Sequence, residues 1–366
     1  MEADNCKEKR AEPNLIAFVC SWIVFTYAGI ITFVISPVIL VVFFYSIYPV
    51  LLINDNWRKG VLRVLARASN LQFITCVRLA GIKVMMSGEN LDRLADCRAL
   101  ILPNHLSFFD HFIFMTAADT FGMNVVGRWT FVIYNTWVYT PLGLLWSHYG
   151  NYFIDSAPPH KREQALSGLR NHFDHIYYEA DLRWVCLYPE GSRLFLIKER
   201  NIEFELKQGL PPLKNCAYPR LGAAVSAIKV LGPDPNDPKK ANNGKGPPLK
   251  YLVDVTLGYP GGEILPTHEA FLSSWRNGGG KPYAIHYELF DMDPKWSNEE
   301  DLKTFLFDRY QKKDKLLDSY YKTGSFSSDA KEAKFPSDVV LFGFQVLQLI
   351  IFGCIVKLFI SLFIWF

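Results

Sequence analysis

His105 and Asp110 stand five positions apart in the stretch LPNHLSFFD, directly after an apolar run and among residues that otherwise read as core. An imidazole held through one nitrogen by a carboxylate keeps a fixed tautomer and a stabilised cation, which frees its other nitrogen to take a proton from an alcohol. The apolar run ends at Pro103 and the run after Ser107 reads as helical. His105 therefore falls in a strand-to-helix turn, and Asp110 is expected about one turn into the helix, within reach of the ring. Taken alone, the pair is better read as a capping histidine and a solvated aspartate.

A second stretch with the same setting follows 80 residues on. In LYPEGSRL, residues 187–194, an apolar strand runs into Glu190, Gly191, Ser192 and Arg193. Glycine lets a backbone approach a ligand closely, and a guanidinium forks onto phosphate oxygens. By itself this is an ordinary loop with a surface arginine. Ser107 lies two residues after His105, but no G-x-S-x-G elbow surrounds it, and capping suits it better than a nucleophile's role.

These residues need a frame to bring them together. Residues 61 to 330 alternate β-rich runs with helical patterns, as α/β domains do. Strands are expected at 99–103, 124–127, 152–155, 184–190, 225–230, 252–258 and 283–290. Ala165, Leu169, Phe173 and Ile176 mark an amphipathic helix. His172 and His175 on it lack a further metal ligand and read as a solvated face; His111, His148, His160, His268 and His286 read as structural or solvated. The Pro, Gly and Lys-rich stretch 232–250 reads as a surface loop, and NGGGK at 277–281 as a turn. No metal site or nucleic-acid-binding array emerges. The seven cysteines (6, 20, 76, 97, 186, 216 and 354) are scattered, odd in number and without a C-x-x-C pair, which suits a reducing compartment.

Both ends of the chain are apolar. Residues 15–53 contain no Asp, Glu, Lys or Arg, and 339–366 carry Lys357 alone. A spanning helix needs roughly 20 such residues. The first run is nearly twice that, with Pro37 and Pro49 as places to break, so a hairpin or re-entrant pair is favoured over one kinked span. Lys7, Lys9 and Arg10 before it, and Arg58, Lys59, Arg63 and Arg67 after it, place both ends in the cytosol. The expected organisation is a membrane anchor at 1–57, a domain at 58–335 and a second anchor at 336–366.

The two chemical stretches, in this order and each behind an apolar strand, resemble the first and third motifs of the glycerolipid acyltransferase family. The resemblance implies an α/β acyltransferase domain, a mixed sheet flanked by helices, with N-terminal and C-terminal membrane helices. It implies His105 as general base, Asp110 as its orienting partner and Asn104 as a support behind them. It also implies Glu190, Gly191, Ser192 and Arg193 as binding residues for the acceptor. GNYFIDS at 150–156 resembles the family's middle motif at Gly150, Phe153 and Ile154, but has Ser156 where an arginine is expected; Lys161 or Arg162 stands in reserve. Pro219 in AYPRLGA matches a fourth, Pro-centred motif. The C-terminal half, with LVDVTLGYP and AIHYELF, resembles the lysophosphatidylglycerol acyltransferase branch.

The implied reaction moves an acyl chain from acyl-CoA, a co-substrate rather than a cofactor, to a hydroxyl of a lysophospholipid. Lysophosphatidylglycerol or lysophosphatidylethanolamine is the expected acceptor, with lysophosphatidic acid or a monoacylglycerol as alternatives. The expected setting is the bilayer of the endoplasmic reticulum, with the catalytic domain facing the cytosol. A noncatalytic lipid-binding scaffold of the same fold would explain the anchors and Ser156, but not the His-Asp and Glu-Gly-Ser-Arg elements.

Overall fold

In the computed structural model, which describes residues 15–89, 91–155, 159–264 and 282–364, the apolar run ALILP forms strand β2 (Ala99–Pro103) with all five residues buried. That pattern belongs to a strand covered on both faces. Cys6, Lys7, Lys9, Arg10, Ser156, His268 and residues 277–281, on which the sequence reading drew, lie outside the described residues. Alternate side chains of β2 point to opposite faces: Ala99 and Ile101 join one core cluster, Leu100 and Leu102 another.

Around β2 the sheet is completed by β1 (Val84–Gly88), β3 (Trp129–Tyr134), β4 (Tyr152–Ile154), β5 (Trp184–Cys186), β6 (Tyr251–Gly258), β7 (Tyr283–Asp291) and β8 (Lys331–Glu332). Its order is β4-β3-β5-β2-β6-β7-β1-β8. From β4 to β6 every pairing is parallel; β6 with β7 and β1 with β8 are antiparallel. The sheet is therefore mixed, as expected, and flanked by helices on both faces.

On one face lie α3 (Asp55–Leu79) and α4 (Asp110–Ala118), whose Phe73, Val77, Phe112 and Ile113 pack against Ile101 and Val253. On the other lie α6 (Arg162–Ile176), α8 (Gly222–Leu231) and α9 (Glu299–Thr323). The expected amphipathic helix is α6, with Leu169 and Phe173 buried. Between these come α5 (Pro141–His148) and α7 (Leu194–Gln208). Helix α9 starts where Asn298 accepts hydrogen bonds from the Glu300 and Asp301 amides, with three acids in its first turn, and stops at Gly324, φ +78°.

Two expected strands are not strands. Residues 225–230 belong to α8: Ala224, Val225, Ala227, Ile228 and Leu231 recur at helical spacing and are all buried, so a short apolar run concealed a helix. Residues 124–127 end a short 3-10 turn; Gly127 takes φ +78° against the Arg63 backbone, and extended chain resumes at Trp129.

The apolar N-terminal run forms a single helix rather than the expected hairpin or re-entrant pair: α1 (Leu15–Ile30), a π turn (Ile31–Ile35) and α2 (Ser36–Leu51) are continuous. Pro37 has no N–H to offer the Phe33 carbonyl. The Ser36 N–H reaches back five residues to Ile31 O, and this wider turn absorbs the lost bond without reversing the chain. Pro49 falls in the last turn of α2, where it too breaks nothing. A helix of 37 residues outruns a hydrocarbon core of about 30 Å, and the surplus packs on the domain: Leu40, Phe44 and Leu51 are buried with Leu65, Ala66 and Leu145.

The last helix, α10 (Asp338–Ile364), crosses the first two through a buried polar cluster. Gln72 Nε2 donates to Gln348 Oε1 at 2.9 Å, Gln348 Nε2 to Ser36 Oγ at 2.9 Å, and Tyr27 OH to Gln345 Oε1 at 2.6 Å. Such bonds hold apolar helices in register where lipid gives no hydrophobic drive between them. Beyond the crossing α10 is exposed and apolar, and both Leu15–Leu51 and Asp338–Ser361 are long and apolar enough to cross a membrane.

Removing a large buried ring should test the α6 face. Phe173→Ala is expected to cost about 3–5 kcal/mol, and Leu206→Ala, at an exposed position of α7, within about 0.5 kcal/mol, read as thermal midpoints of the full chain in detergent. Equal midpoints for the two variants would contradict this packing.

Candidate active site

His105 follows the C-terminal end of β2, two residues after Pro103. Its Nδ1 lies 2.8 Å from Asp110 Oδ2, and because a carboxylate only accepts, Nδ1 carries the proton and Nε2 keeps its lone pair. Nε2 has no partner among the described residues, and 24% of the His105 side chain is exposed.

Asp110 is fully buried. Its Oδ2 also accepts the Leu106 amide at 2.6 Å and the Ser107 amide at 2.9 Å, and its Oδ1 accepts the Tyr259 hydroxyl at 2.6 Å. A buried carboxylate is costly unless its lone pairs are taken, and here four donors take them. Asp110 opens α4 rather than lying one turn inside it, so it gathers the loop before the helix. Ser107 Oγ accepts the Phe109 amide at 3.2 Å, a turn bond; the residue that caps α4 is Phe109, without a side-chain bond.

The loop is held from behind by Asn104 and Glu190. Asn104, wholly buried, donates from Nδ2 to Leu257 O at 3.1 Å and accepts the Leu257 amide at 2.7 Å, which staples β2 to β6. Glu190, also buried, accepts the His105 amide on Oε1 at 2.9 Å and the Ala217 amide on Oε2 at 3.2 Å. Both side chains are engaged by backbone groups, which suits the supporting role expected of Asn104 and gives Glu190, expected among the binding residues, a bracing role as well. Burial pushes the Glu190 carboxyl up to about 8, against the lowering effects of the His105 amide, the Lys313 charge and the Ala217 amide.

Behind this layer stands a buried ion cluster. Lys313 Nζ, on α9, lies 2.7 Å from Asp254 Oδ1 on β6 and donates to the Val255 carbonyl at 2.8 Å and the Leu102 carbonyl at 3.3 Å. Arg309, one turn earlier on the same face, takes Asp254 Oδ2 at 3.0 Å and also pairs with Glu288. Strand β2, which leads into His105, and strand β6, which carries Leu257, are thus tied to α9.

Gly191 follows at φ +73°, Ser192 is half-buried, and the Leu194 amide donates to His105 O at 2.9 Å, which fixes the start of α7 beside the histidine. Arg193 has no carboxylate partner among the described residues; its guanidinium lies 5.1 Å from the Phe195 ring centroid. Pro219 is buried between Tyr218 and Arg220, whose amide donates to Pro189 O at 2.7 Å. The middle stretch is not brought to His105 as a unit. Gly150 precedes β4, whereas His105 follows β2; these strands run the same way, so the two residues occupy opposite edges of the sheet. The Gly150 carbonyl accepts from Thr130 Oγ1 at 2.7 Å and lies 2.9 Å from His172 Nε2, so His172 is a half-buried brace and not part of a solvated face. Gly150 and Phe153 line a cavity of about 410 Å³ at that far edge, and Ile154 ends β4.

Sequence reasoning missed Tyr259, Tyr188 and Lys313. The Tyr188 ring packs on that of His105 at 4.4 Å between centroids, tilted by 34°, and its buried hydroxyl is unpartnered among the described residues. Tyr188 sits in the LYPEGSR stretch and Tyr259 in the YP pair after a strand, both quoted for the resemblance, but no local signal shows that they meet the His-Asp pair. His111, next to Asp110, is half-buried among Phe73, Phe131 and Trp146; desolvation and then the His105 charge lower it to about 4, so it stays neutral packing.

A family model described as Acyltransferase matches residues 83–218, and one described as Acyltransferase C-terminus matches 279–346. The putative 1-acyl-sn-glycerol-3-phosphate acyltransferase acl-12 of Caenorhabditis elegans is 38% identical over 293 residues, 80% of this chain and 74% of that protein. The acyl-CoA:lysophosphatidylglycerol acyltransferase 1 of Homo sapiens is 30% identical over 265 residues, 69% and 70% of the two chains. The solved acyltransferase PlsC from Thermotoga maritima aligns with 83% of this chain and 98% of its own at 12% identity and a TM-score of 0.44, too distant to bear on the site.

The buried Glu190 gives a test of this geometry. Its folded value, about 8, stands above the unfolded 4.5, so folding favours the protonated form; the contribution is complete below pH 4.5 and is lost as pH rises through about 8. The thermal midpoint should therefore carry a component that falls across that window, and Glu190→Gln, which cannot ionise, should flatten it. An unchanged pH slope in the variant would contradict the burial of this carboxyl.

Proposed function

The chain belongs to the glycerolipid acyltransferase family, and from that premise we propose that it moves an acyl chain from acyl-CoA to a glycerol hydroxyl of a lysophospholipid, with His105 as general base. The observation that carries the proposal is the free Nε2 of a histidine whose Nδ1 is held by a buried, fully satisfied aspartate.

In this reading the acceptor hydroxyl passes its proton to His105 Nε2 while its oxygen attacks the thioester carbonyl carbon. The tetrahedral intermediate collapses by breaking the carbon–sulfur bond. The CoA thiolate then takes the proton back from the imidazolium, which Asp110 has stabilised, and the histidine is restored. The thioester is activated enough that a positioned alcohol needs only a base, and holding both reactants together supplies much of the remaining acceleration. No covalent enzyme intermediate is needed. Arg193, beside His105 and without an acid partner among the described residues, is assigned to an acceptor phosphate.

The apolar helices serve the same reading. Phe33, in the π turn of the long N-terminal helix, packs on Phe108 at 6.0 Å, on Phe112 at 6.4 Å and on Trp137 at 6.1 Å between ring centroids. Apolar surface that suits an acyl chain thus runs from the helix to the loop carrying His105. We assign the protein to the endoplasmic reticulum membrane with this domain on the cytosolic side, a placement supported by the basic residues that follow the helix. Lysophosphatidylglycerol or lysophosphatidylethanolamine is placed ahead of lysophosphatidic acid or a monoacylglycerol, because Ser156 stands where the family motif has an arginine.

The test is acyl transfer by full-length protein in nanodiscs, with labelled oleoyl-CoA against those four acceptors. His105→Ala should lower turnover by roughly 10²–10⁴-fold, with Asp110→Asn also strongly reduced. Turnover of His105→Ala near the wild-type rate would remove the base assignment, and a folded wild-type protein inert on all four would bring forward the lipid-binding scaffold.

A further inference from the structure

Three arginines gather beside the Glu190–Arg193 loop without an acid to pair them. The Arg220 side chain runs over Gly191, where an added Cβ would stand 3.1 Å from its Cδ and 3.5 Å from its Nη1. With φ at +73°, Gly191 both adopts the turn and leaves room for this stem, which an L side chain would not. Arg162, the first residue of α6, places Nη2 3.5 Å from the corresponding Cβ position of Gly222, two residues beyond Arg220. Arg200 stands on α7, which starts at this loop.

All three are exposed, and none forms an ion pair among the described residues. Glu163, next to Arg162, is engaged by Arg170 at 2.5 Å, and neither Glu199 nor Glu203, which flank Arg200 on the helix, reaches a guanidinium. Partial burial lowers the Arg220 pKa, and the like charges of Arg200 and then Arg162 lower it further. An anion among them would offset those like charges.

The location suits a ligand. α6 follows β4 and α7 follows β5, and both strands point to the edge where His105 lies; the amino ends of these helices add partial positive charge at the edge where α/β folds take their ligands. Planar guanidiniums match phosphate oxygens in a bidentate fork.

We propose that Arg162, Arg200 and Arg220 form a phosphate-binding site centred on Arg220, next to Arg193 and distinct from the His-Asp pair. This rests on the acyltransferase reading and supplies cationic groups for a chain that has Ser156 in the middle motif. The phosphate is that of a lysolipid head group or one of those on the CoA moiety.

The experiment separates these sources without needing turnover. Full-length protein in nanodiscs, carrying His105→Ala so that nothing is consumed, is titrated with hexanoyl-lysophosphatidylglycerol and, separately, with hexanoyl-CoA. Arg220→Gln should weaken one of the two by about tenfold and leave the other within about twofold, with Arg220→Lys recovering part of the loss. A loss confined to the lysolipid assigns the head group; one confined to the thioester assigns CoA. Should Arg220→Gln lower the thermal midpoint, the Arg162→Gln/Arg200→Gln double variant, altered at two exposed residues, carries the test. Unchanged affinity for both ligands, or an equal loss for both, overturns the proposal. A wild-type protein that binds in this charge-dependent way yet transfers no acyl group would sink the proposed function and leave the phosphate site standing.

Discussion

The four hydrogen bonds to the buried Asp110 carboxylate are the constraint from which the site follows. A charged group with no exposure survives in a core only if each lone pair is matched, and the donors come from three directions: the His105 ring, the Leu106 and Ser107 amides, and the Tyr259 hydroxyl beyond the end of β6. Meeting that demand closes the loop between β2 and α4 into one shape. The same shape presents Nε2 of His105 outward. The orientation of the imidazole is thus a by-product of satisfying a charge, and it is set before any substrate arrives.

The surrounding polar groups repeat this logic one layer deeper. Asn104 ties the end of β2 to Leu257, Glu190 ties the His105 amide to Ala217, and Lys313 ties Leu102 and Val255 to Asp254 and through it to Arg309. Each link joins segments far apart in the chain. Helix α9 is consequently part of the site's foundation although it lends no group to the open face of His105. Buried ionic clusters of this sort add little net stability compared with apolar packing, but breaking one leaves a bare charge, so they hold a particular arrangement.

The membrane-length helices are built into the same body. Where the N-terminal helix passes the active loop, a π turn forced by Pro37 displays Phe33 toward Phe108 and Trp137. Where it meets α3 and α10, glutamines, a serine and a tyrosine lock the crossing. An apolar segment that reaches the loop carrying His105 at one level and extends outward at another is an arrangement that suits substrates with acyl chains.

By itself the sequence determined the α/β class, the two apolar helices, most of the strands and the His105, Asp110 and Glu190–Arg193 stretches, because these rest on local facts: unbroken apolar runs, periodicity, and polar residues placed just after strands. It misread 225–230 because a short apolar run fits a buried helix as well as a strand, and it broke the N-terminal run because proline predicts a lost hydrogen bond but not how a π turn absorbs it. Tertiary structure alone decided that Asn104 and Glu190 face inward, that Gly150 lies at the opposite edge of the sheet, and that Tyr188, Tyr259 and Lys313 surround the pair. The physical reason is the same throughout: which donor reaches a buried carboxylate, and which guanidiniums stand together, depends on strand order and helix packing, and bonds such as that of Tyr259 to Asp110 join residues 149 positions apart, which no local pattern encodes.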